Sequence, residues 1–258
     1  VDFLRLETWR TGRRHAVVGV SGGIDSAVVL ALAVKALGAD AVLGAILPYR
    51  TSPPSATRDA ARVLEHFMVR RVQVDISPMV DAYFGSSTGA DRLRRGNKMA
   101  RERMSILYDL SASERALVFG TSNKTELLLG YGTLHGDLAC ALSPLGDLYK
   151  TQVRQLARHL GLPSRILRKA PSAGLYPGQT DEADIGFPYP LLDRLLYFLV
   201  DLRAPKEEAV RAGFPRNMVL RVCEMIRRSQ FKRRMPIIAK VSQRTIGVDF
   251  RYPRDWGT

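Results

Sequence analysis

The chain has 258 residues, 46 % of them apolar, with 39 Lys and Arg against 25 Asp and Glu, a formal net charge of +14. This length suits one large domain, or one domain with an appendage, and a sizeable core. The pattern excludes a membrane span, since no apolar run approaches the ~18 residues required; it also gives no support to a Cys-built metal or redox centre, because Cys140 and Cys223 form no Cys-x-x-Cys pair.

The opening VDFLRLETWRTGRR lacks the long apolar core of a secretory signal, so the expected address is cytoplasmic. A charge of +14 suits nucleic acid, anionic lipid or small polyphosphates, and charge alone does not choose among them. Much of it clusters late, at Arg227-Arg228, Lys232-Arg233-Arg234, Arg244, Arg251 and Arg254, where the simplest reading is a solvated basic face.

Along the chain, residues 15–20 read as a buried strand, and 26–37 (SAVVLALAVKAL) as a helix ending at Gly38. AVLGAILP (41–48) is a second buried strand. A helix over 55–67 and a third strand over 70–77 follow. After a glycine-containing loop, NKMARERMSILYDLSA (97–112) has the spacing of an amphipathic helix, ALVFGT (116–121) is a fourth strand, and 148–161 is a helix. Beyond 163 the pattern weakens to a loop over 170–182, helices over 190–201 and 215–229, and an irregular tail.

Alternating strands and helices at this spacing predict an α/β fold. The sheet is Rossmann-like and mainly parallel, with helices on both faces and a helical and irregular C-terminal part. The division is one domain, with residues 1–162 as its α/β core, which the resemblance described below makes nucleotide-binding, and 163–258 as its extension. Ligands in such sheets lie outside the carboxyl ends of the strands. SGGIDS, YRTS and GTSNKTE all fall there.

SGGIDS raises a chemical question, because it puts two glycines, two hydroxyls and a carboxylate between two buried segments. Glycines let the backbone approach an anion closely, and the first turn of the following helix offers free N–H groups. Ser21 and Ser26 add hydroxyls. The Asp25 carboxylate repels a bare phosphate, so it makes sense there only with a cation between them, and Mg²⁺ held by one or two carboxylates plus phosphate oxygens meets that need. The plainer reading is a helix N-terminus on which Ser and Asp simply cap. The pattern is neither a Walker loop nor a Gly-x-Gly-x-x-Gly dinucleotide loop.

Ser-Gly-Gly-x-Asp-Ser after a first strand resembles the pyrophosphate loop of the ATP pyrophosphatase superfamily (adenine nucleotide alpha hydrolase-like). Members adenylate an acceptor and then let a nucleophile displace AMP. Five further segments narrow this: RRGNKMARERMSILYDLSA (94–112), GTSNKTELLLGYGTLHGD (120–137), PLGDLYKTQVRQLA (144–157), PSAGLYPGQTDE (171–182) and RTIGVDFRYPRDWG (244–257). Together they resemble the ammonia-dependent NAD synthetase family over nearly the whole chain.

The resemblance implies that Gly19, Val20, Ser21, Gly22, Gly23, Ile24, Asp25 and Ser26 hold the phosphates of ATP. Asp25 and Glu126 then bind Mg²⁺, Thr121 contacts ATP, and Lys150 and Ser172 bind phosphates. Arg101, Asp137 and Lys232 contact the acceptor, and Asp25, Glu126, Lys150 and Asp137 form the catalytic set. Read without the family, Glu126 is a helix-surface carboxylate, Lys150 a solvated lysine and Arg101 a flank charge. The chain also departs from the family. Where many members have Thr-Lys-Tyr-Gly-Asp-Gly and a later acid, it has Thr133-Leu134-His135-Gly136-Asp137-Leu138 and Ala141; Phe231 replaces the His before Lys232.

The implied reaction is amidation of deamido-NAD by ammonia through an adenylated carboxylate, releasing AMP and pyrophosphate. The expectation is a C–N ligase acting as a homodimer. About twenty residues precede the phosphate loop, too few for a glutaminase domain, so ammonia is free or comes from a separate glutaminase chain. Leu134 and Ala141 keep nicotinate mononucleotide open as the acceptor. A tRNA-modifying pyrophosphatase is suggested only by the charge, and the family-specific segments speak against it. A non-catalytic binder is disfavoured by the retention of Asp25, Glu126 and Lys150.

Overall fold

Apolar segments that alternate with helices can pair only through crossovers, and the strands here lie parallel in the order β3-β2-β1-β4. The computed structural model describes residues 1–85, 91–174, 176, 178–234, 236–246 and 249. Helix α1 (Asp2–Arg10) leads into β1 (His15–Gly19), α2 (Ile24–Leu37), β2 (Val42–Ile46), α3 (Pro54–His66) and β3 (Arg70–Gln73). Then come α4 (Ser77–Phe84), α5 (Arg92–Ser113), β4 (Ala116–Phe119), α6 (Lys124–Leu129) and α7 (Lys150–His159). The C-terminal part holds α8 (Ser164–Arg168), α9 (Asp181–Ile185), α10 (Tyr189–Leu196), α11 (Lys206–Arg211) and α12 (Arg216–Arg228).

Alternation along β1 sorts the helices onto two faces. Ala16 and Val18 join the core formed with α2, α3 and α7, whereas Val17 packs with Leu43, Leu107 and Leu110 on the α5 side. Helix α2 is apolar on almost every side, because it lies between the sheet, α1 and α7. A third core joins Leu129 and Tyr149 to Leu192, Leu195, Leu196, Met218 and Val222, so the C-terminal helices pack on α6 and the start of α7. The apolar segment LLDRLLYFLV (191–200) is therefore mainly a core element. Only its end, where α10 widens into a π-turn over Tyr197–Asp201, leaves Tyr197 exposed.

The elements differ from the sequence pattern where a local contact decides. Helix α5 starts at Arg92 rather than 97, because Asp91 caps it by accepting from the Arg94 N–H at 2.7 Å. Strand β3 ends at Gln73 rather than 77, although Val74 N–H still reaches the Ile46 carbonyl. Helices α1, α4, α6, α8, α9 and α11 were not visible in the pattern, being short or marked by only a few buried residues. Helix α6 did carry a signal in Asn-Lys-Thr-Glu, a capping box in which Asn123 Oδ1 accepts from Glu126 N–H (3.0 Å) and Glu126 Oε2 accepts from Asn123 N–H (3.3 Å).

Candidate active site at the carboxyl edge of the sheet

Neighbouring strands β1 and β4 continue into chains that leave in different directions, one into α2 and the other into α6. This switch in strand order opens a crevice at their carboxyl ends. On one side of it lies the loop 19–26. Ser26 Oγ accepts from Ser21 N–H at 3.2 Å and donates to the Gly23 carbonyl at 3.0 Å, folding the loop over the first turn of α2. That turn's N–H groups have no intrahelical acceptor. Gly22 is buried at φ +73°, and a Cβ there would come within 2.4 Å of the Ala56 carbonyl oxygen, so no other residue fits without moving α3.

Three elements bring charges together beside this loop. Lys150, the first residue of α7, is 1 % exposed; its Nζ donates to Asp25 Oδ2 at 2.5 Å and to Glu126 Oε1 at 3.1 Å. It is not a solvated surface lysine. Asn123 holds the other Asp25 oxygen, donating from Nδ2 to Oδ1 at 3.0 Å. One ammonium thus serves two carboxylates. Burial alone would favour neutral lysine, but the charges of Asp25 and Glu126 outweigh it and hold the group protonated. Burial pushes the Glu126 carboxyl above its usual range against the pull of Lys150, with the Asp25 charge adding to the rise.

Residues that the sequence did not single out place Lys150. Thr125 Oγ1 accepts from the Lys150 N–H at 3.0 Å and donates to Asp193 Oδ1 at 2.7 Å; Asp193 Oδ2 accepts from Thr151 N–H at 2.7 Å. Asp193 thereby clamps the first turn of α7 onto α6. The Lys150 ammonium lies 5.3 Å from the centre of the Tyr189 ring, and the Tyr189 hydroxyl donates to Asp181 Oδ2 at 3.1 Å. Among the described residues the buried Asp181 Oδ1 finds no hydrogen-bond partner, and burial raises this carboxyl as well. Only Asn123-x-x-Glu126 had a pattern that could have flagged its members.

The acceptor residues expected from sequence gather on one turn, 130–137. Arg101 Nε donates to the Leu134 carbonyl at 3.3 Å, and Asp137 Oδ1 accepts from Thr133 N–H at 2.7 Å. Lys232 Nζ donates to the carbonyls of Gly130 (2.8 Å) and Gly132 (2.7 Å). Asp137 is exposed to solvent, yet the protein mass around it raises its carboxyl, with the Thr133 N–H opposing. Thr121 stands just past β4. Ser172 is exposed, and its hydroxyl accepts from Gly174 N–H at 3.1 Å. Among the described residues no hydrogen bond joins Ser172 to the loop 19–26.

The late basic cluster is not simply a solvated face. Arg233 donates to the carbonyls of Leu127, Leu128 and Ile226, capping α6 and α12, while Arg227 and Arg228 pair with Glu224. Arg251 and Arg254, with most of the segment from 247 onward, lie outside the described residues.

The donor set suits a hard divalent cation. Asp25 and Glu126 aim oxygens at one point, now marked by the Lys150 ammonium, and among the described residues no third ligand of the His, Cys, Asp or Glu type completes a cage. Mg²⁺ characteristically takes one or two carboxylates and fills its remaining positions with phosphate and water.

Fold and site define a doubly wound α/β protein with a glycine-containing loop at a helix start and a two-carboxylate, one-lysine cluster at its strand switch. Residues 1–236 match the family model of NAD synthase, and the chain belongs to that family. It is 55 % identical over 257 residues to the NH(3)-dependent NAD(+) synthetase of Trichlorobacter lovleyi, covering 100 % of this chain and 94 % of the relative. The NH3-dependent NAD synthetase of Campylobacter jejuni superposes with a TM-score of 0.80 at 34 % identity, over 93 % of this chain and 95 % of that one. The NMN synthetase of Francisella tularensis also gives 0.80, at 33 % identity over 92 % and 94 %.

Proposed function

We propose that this chain is a ligase that converts deamido-NAD and ammonia to NAD at the expense of ATP. The observation that carries the reading is the convergence of Asp25, Glu126 and Lys150 beside the loop 19–26 in a chain of the NAD synthase family. A carboxylate is a poor acyl donor because oxide would have to leave. Attack of the nicotinate carboxylate oxygen on the α-phosphorus of ATP forms a mixed anhydride and expels pyrophosphate. The nitrogen of ammonia then bonds to the activated carbonyl carbon, and AMP and one proton leave.

The protein's part is positioning and charge. The first-turn N–H groups of α2 and the hydroxyls of Ser21 and Ser26 bind the leaving phosphates, and Thr121 and Ser172 complete the ATP contacts. Asp25 and Glu126 would hold Mg²⁺, which when bound would neutralise charge on the phosphate oxygens. Lys150, whose ammonium lies beside the same loop, would set its positive charge against those oxygens. Arg101 and Lys232 hold the acceptor, and Asp137 orients ammonia. We further propose that the chain works as a homodimer in the cytoplasm, using free ammonia or ammonia from a separate glutaminase chain.

The test supplies purified protein with ATP, Mg²⁺, deamido-NAD and ¹⁵N-ammonium. Label entering the product amide, with one pyrophosphate released per amide formed, is the expected result; glutamine serving equally well as sole donor contradicts it.

A second reading changes the acceptor to nicotinate mononucleotide. Leu134 stands where many family members carry a lysine, and Ala141 replaces a later acid, so two polar contacts to the dinucleotide are missing. Side-by-side rates on the two acceptors decide it, and preference for the dinucleotide removes this alternative.

A further inference from the structure

The loop 19–26 is gripped from behind by a cluster that the reaction does not use. Lys169, just after α8, donates from Nζ to the Gly22 carbonyl at 2.9 Å and to Asp59 Oδ2 at 3.1 Å. Arg165, in α8, donates from Nε to Asp59 Oδ1 at 2.5 Å. Asp59, on α3, is only 3 % exposed, and both of its oxygens are engaged. Loop, α3 and the segment after α8 thus meet around one buried carboxylate.

A trans peptide sends its C=O and its N–H in opposite directions. A loop that turns N–H groups toward a phosphate must therefore turn carbonyls back into the protein, where each needs a donor. The Gly22 carbonyl finds that donor in Lys169, and the N–H of the same peptide unit, that of Gly23, donates to Ser21 Oγ at 3.3 Å, so fixing this peptide also fixes one of the loop's hydroxyls. Charge matters too: two cations share one carboxylate, leaving one positive charge next to the loop. Lys150, by contrast, is matched by two carboxylates.

We infer that Lys169, steered by Asp59, is a positioning residue for ATP: it fixes the plane of the Gly22–Gly23 peptide and keeps surplus positive charge beside the phosphates. This rests on the reading of loop 19–26 as the phosphate site. The lysine also lies three residues before Ser172, so the segment proposed to touch ATP is anchored directly to the loop.

Lys169→Met and Lys169→Arg test it, because Asp59 keeps Arg165 in both and the fold does not lose its buried pair. For K169M we expect the KM for ATP to rise about tenfold or more, the KM for deamido-NAD to stay within about twofold, and ATP with Mg²⁺ to raise the melting temperature less than in wild type. K169R should recover most of the ATP affinity. An unchanged KM for ATP, equal rises in both KM values, or K169R behaving like K169M would overturn the inference. Wild-type protein that ATP with Mg²⁺ fails to stabilise would remove the phosphate-loop reading itself, and the inference with it; stabilisation equal in wild type and K169M removes the inference alone.

Discussion

The Lys150 ammonium lies 2.5 Å from the Asp25 carboxylate although 125 positions separate the two residues. Glu126 reaches the same nitrogen at 3.1 Å, so a single buried cation bridges the loop after β1 and the helix after β4. The two carboxylates expected to hold a metal are bridged by the protein's own lysine. A bound Mg²⁺, as proposed above, would compete with Lys150 for the same oxygens.

That competition can be measured. Lys150→Met leaves Asp25 and Glu126 facing each other without their shared cation, at a cost of about 3 kcal/mol to folding. Its melting temperature should fall in EDTA and recover with Mg²⁺ by more than wild type gains, while pyrophosphate release stays at least about 10²-fold below wild type. Equal Mg²⁺ responses in the two proteins contradict the shared site.

Thr125 offers a subtler lever. Its hydroxyl both accepts from the Lys150 N–H and donates to Asp193, all within buried surroundings. Thr125→Val keeps the shape and removes both bonds, and about 1–3 kcal/mol of stability should be lost in denaturant titrations. Turnover should fall as well, because the start of α7 is no longer clamped. Full turnover in a destabilised T125V would separate α7 placement from catalysis.

Acid stability gives a signed prediction at Asp59. Burial alone would raise its carboxyl, but the hydrogen bonds and charges of Arg165 and Lys169 win and hold it below its ordinary value. A depressed folded pKa contributes stability that is complete above the unfolded value, about 3.9, and is lost as pH falls through the folded value. Unfolding curves of wild type and Asp59→Asn should therefore run parallel above about pH 5 and converge below pH 4. A gap independent of pH down to 2 speaks against a charged Asp59.

Lys232 distinguishes an acceptor contact from a purely structural brace. Its ammonium donates to the Gly130 and Gly132 carbonyls, on the turn that also carries Asp137. Lys232→Met should lower the melting temperature by a few degrees and raise the KM for deamido-NAD severalfold, leaving the KM for ATP near wild type. Steady-state kinetics with each substrate varied in turn will show it; a melting shift with both KM values intact makes Lys232 a brace alone.

The strand–loop–helix at 15–37 could be read from sequence because its logic is local. An apolar run, two glycines and a second apolar run leave few backbone solutions, and the free N–H groups of a helix start are what the proposed phosphate site rests on. Order and spacing of the strands likewise implied a parallel sheet, since short crossovers permit little else. Asn123-x-x-Glu126 was equally local and could have revealed α6.

What lay beyond local reach was every contact that joins distant segments. Lys150 has the neighbours of an ordinary helix-surface lysine, and only the docking of α7 against α6 and α10 buries its ammonium between Asp25 and Glu126. Asp59 and Lys169 belong to unremarkable amphipathic sequence until the fold sets them behind Gly22. Periodicity reports which face of an element is apolar; it carries no record of which charge stands opposite. The partner of a buried charge is chosen by packing, and packing exists only in the folded chain.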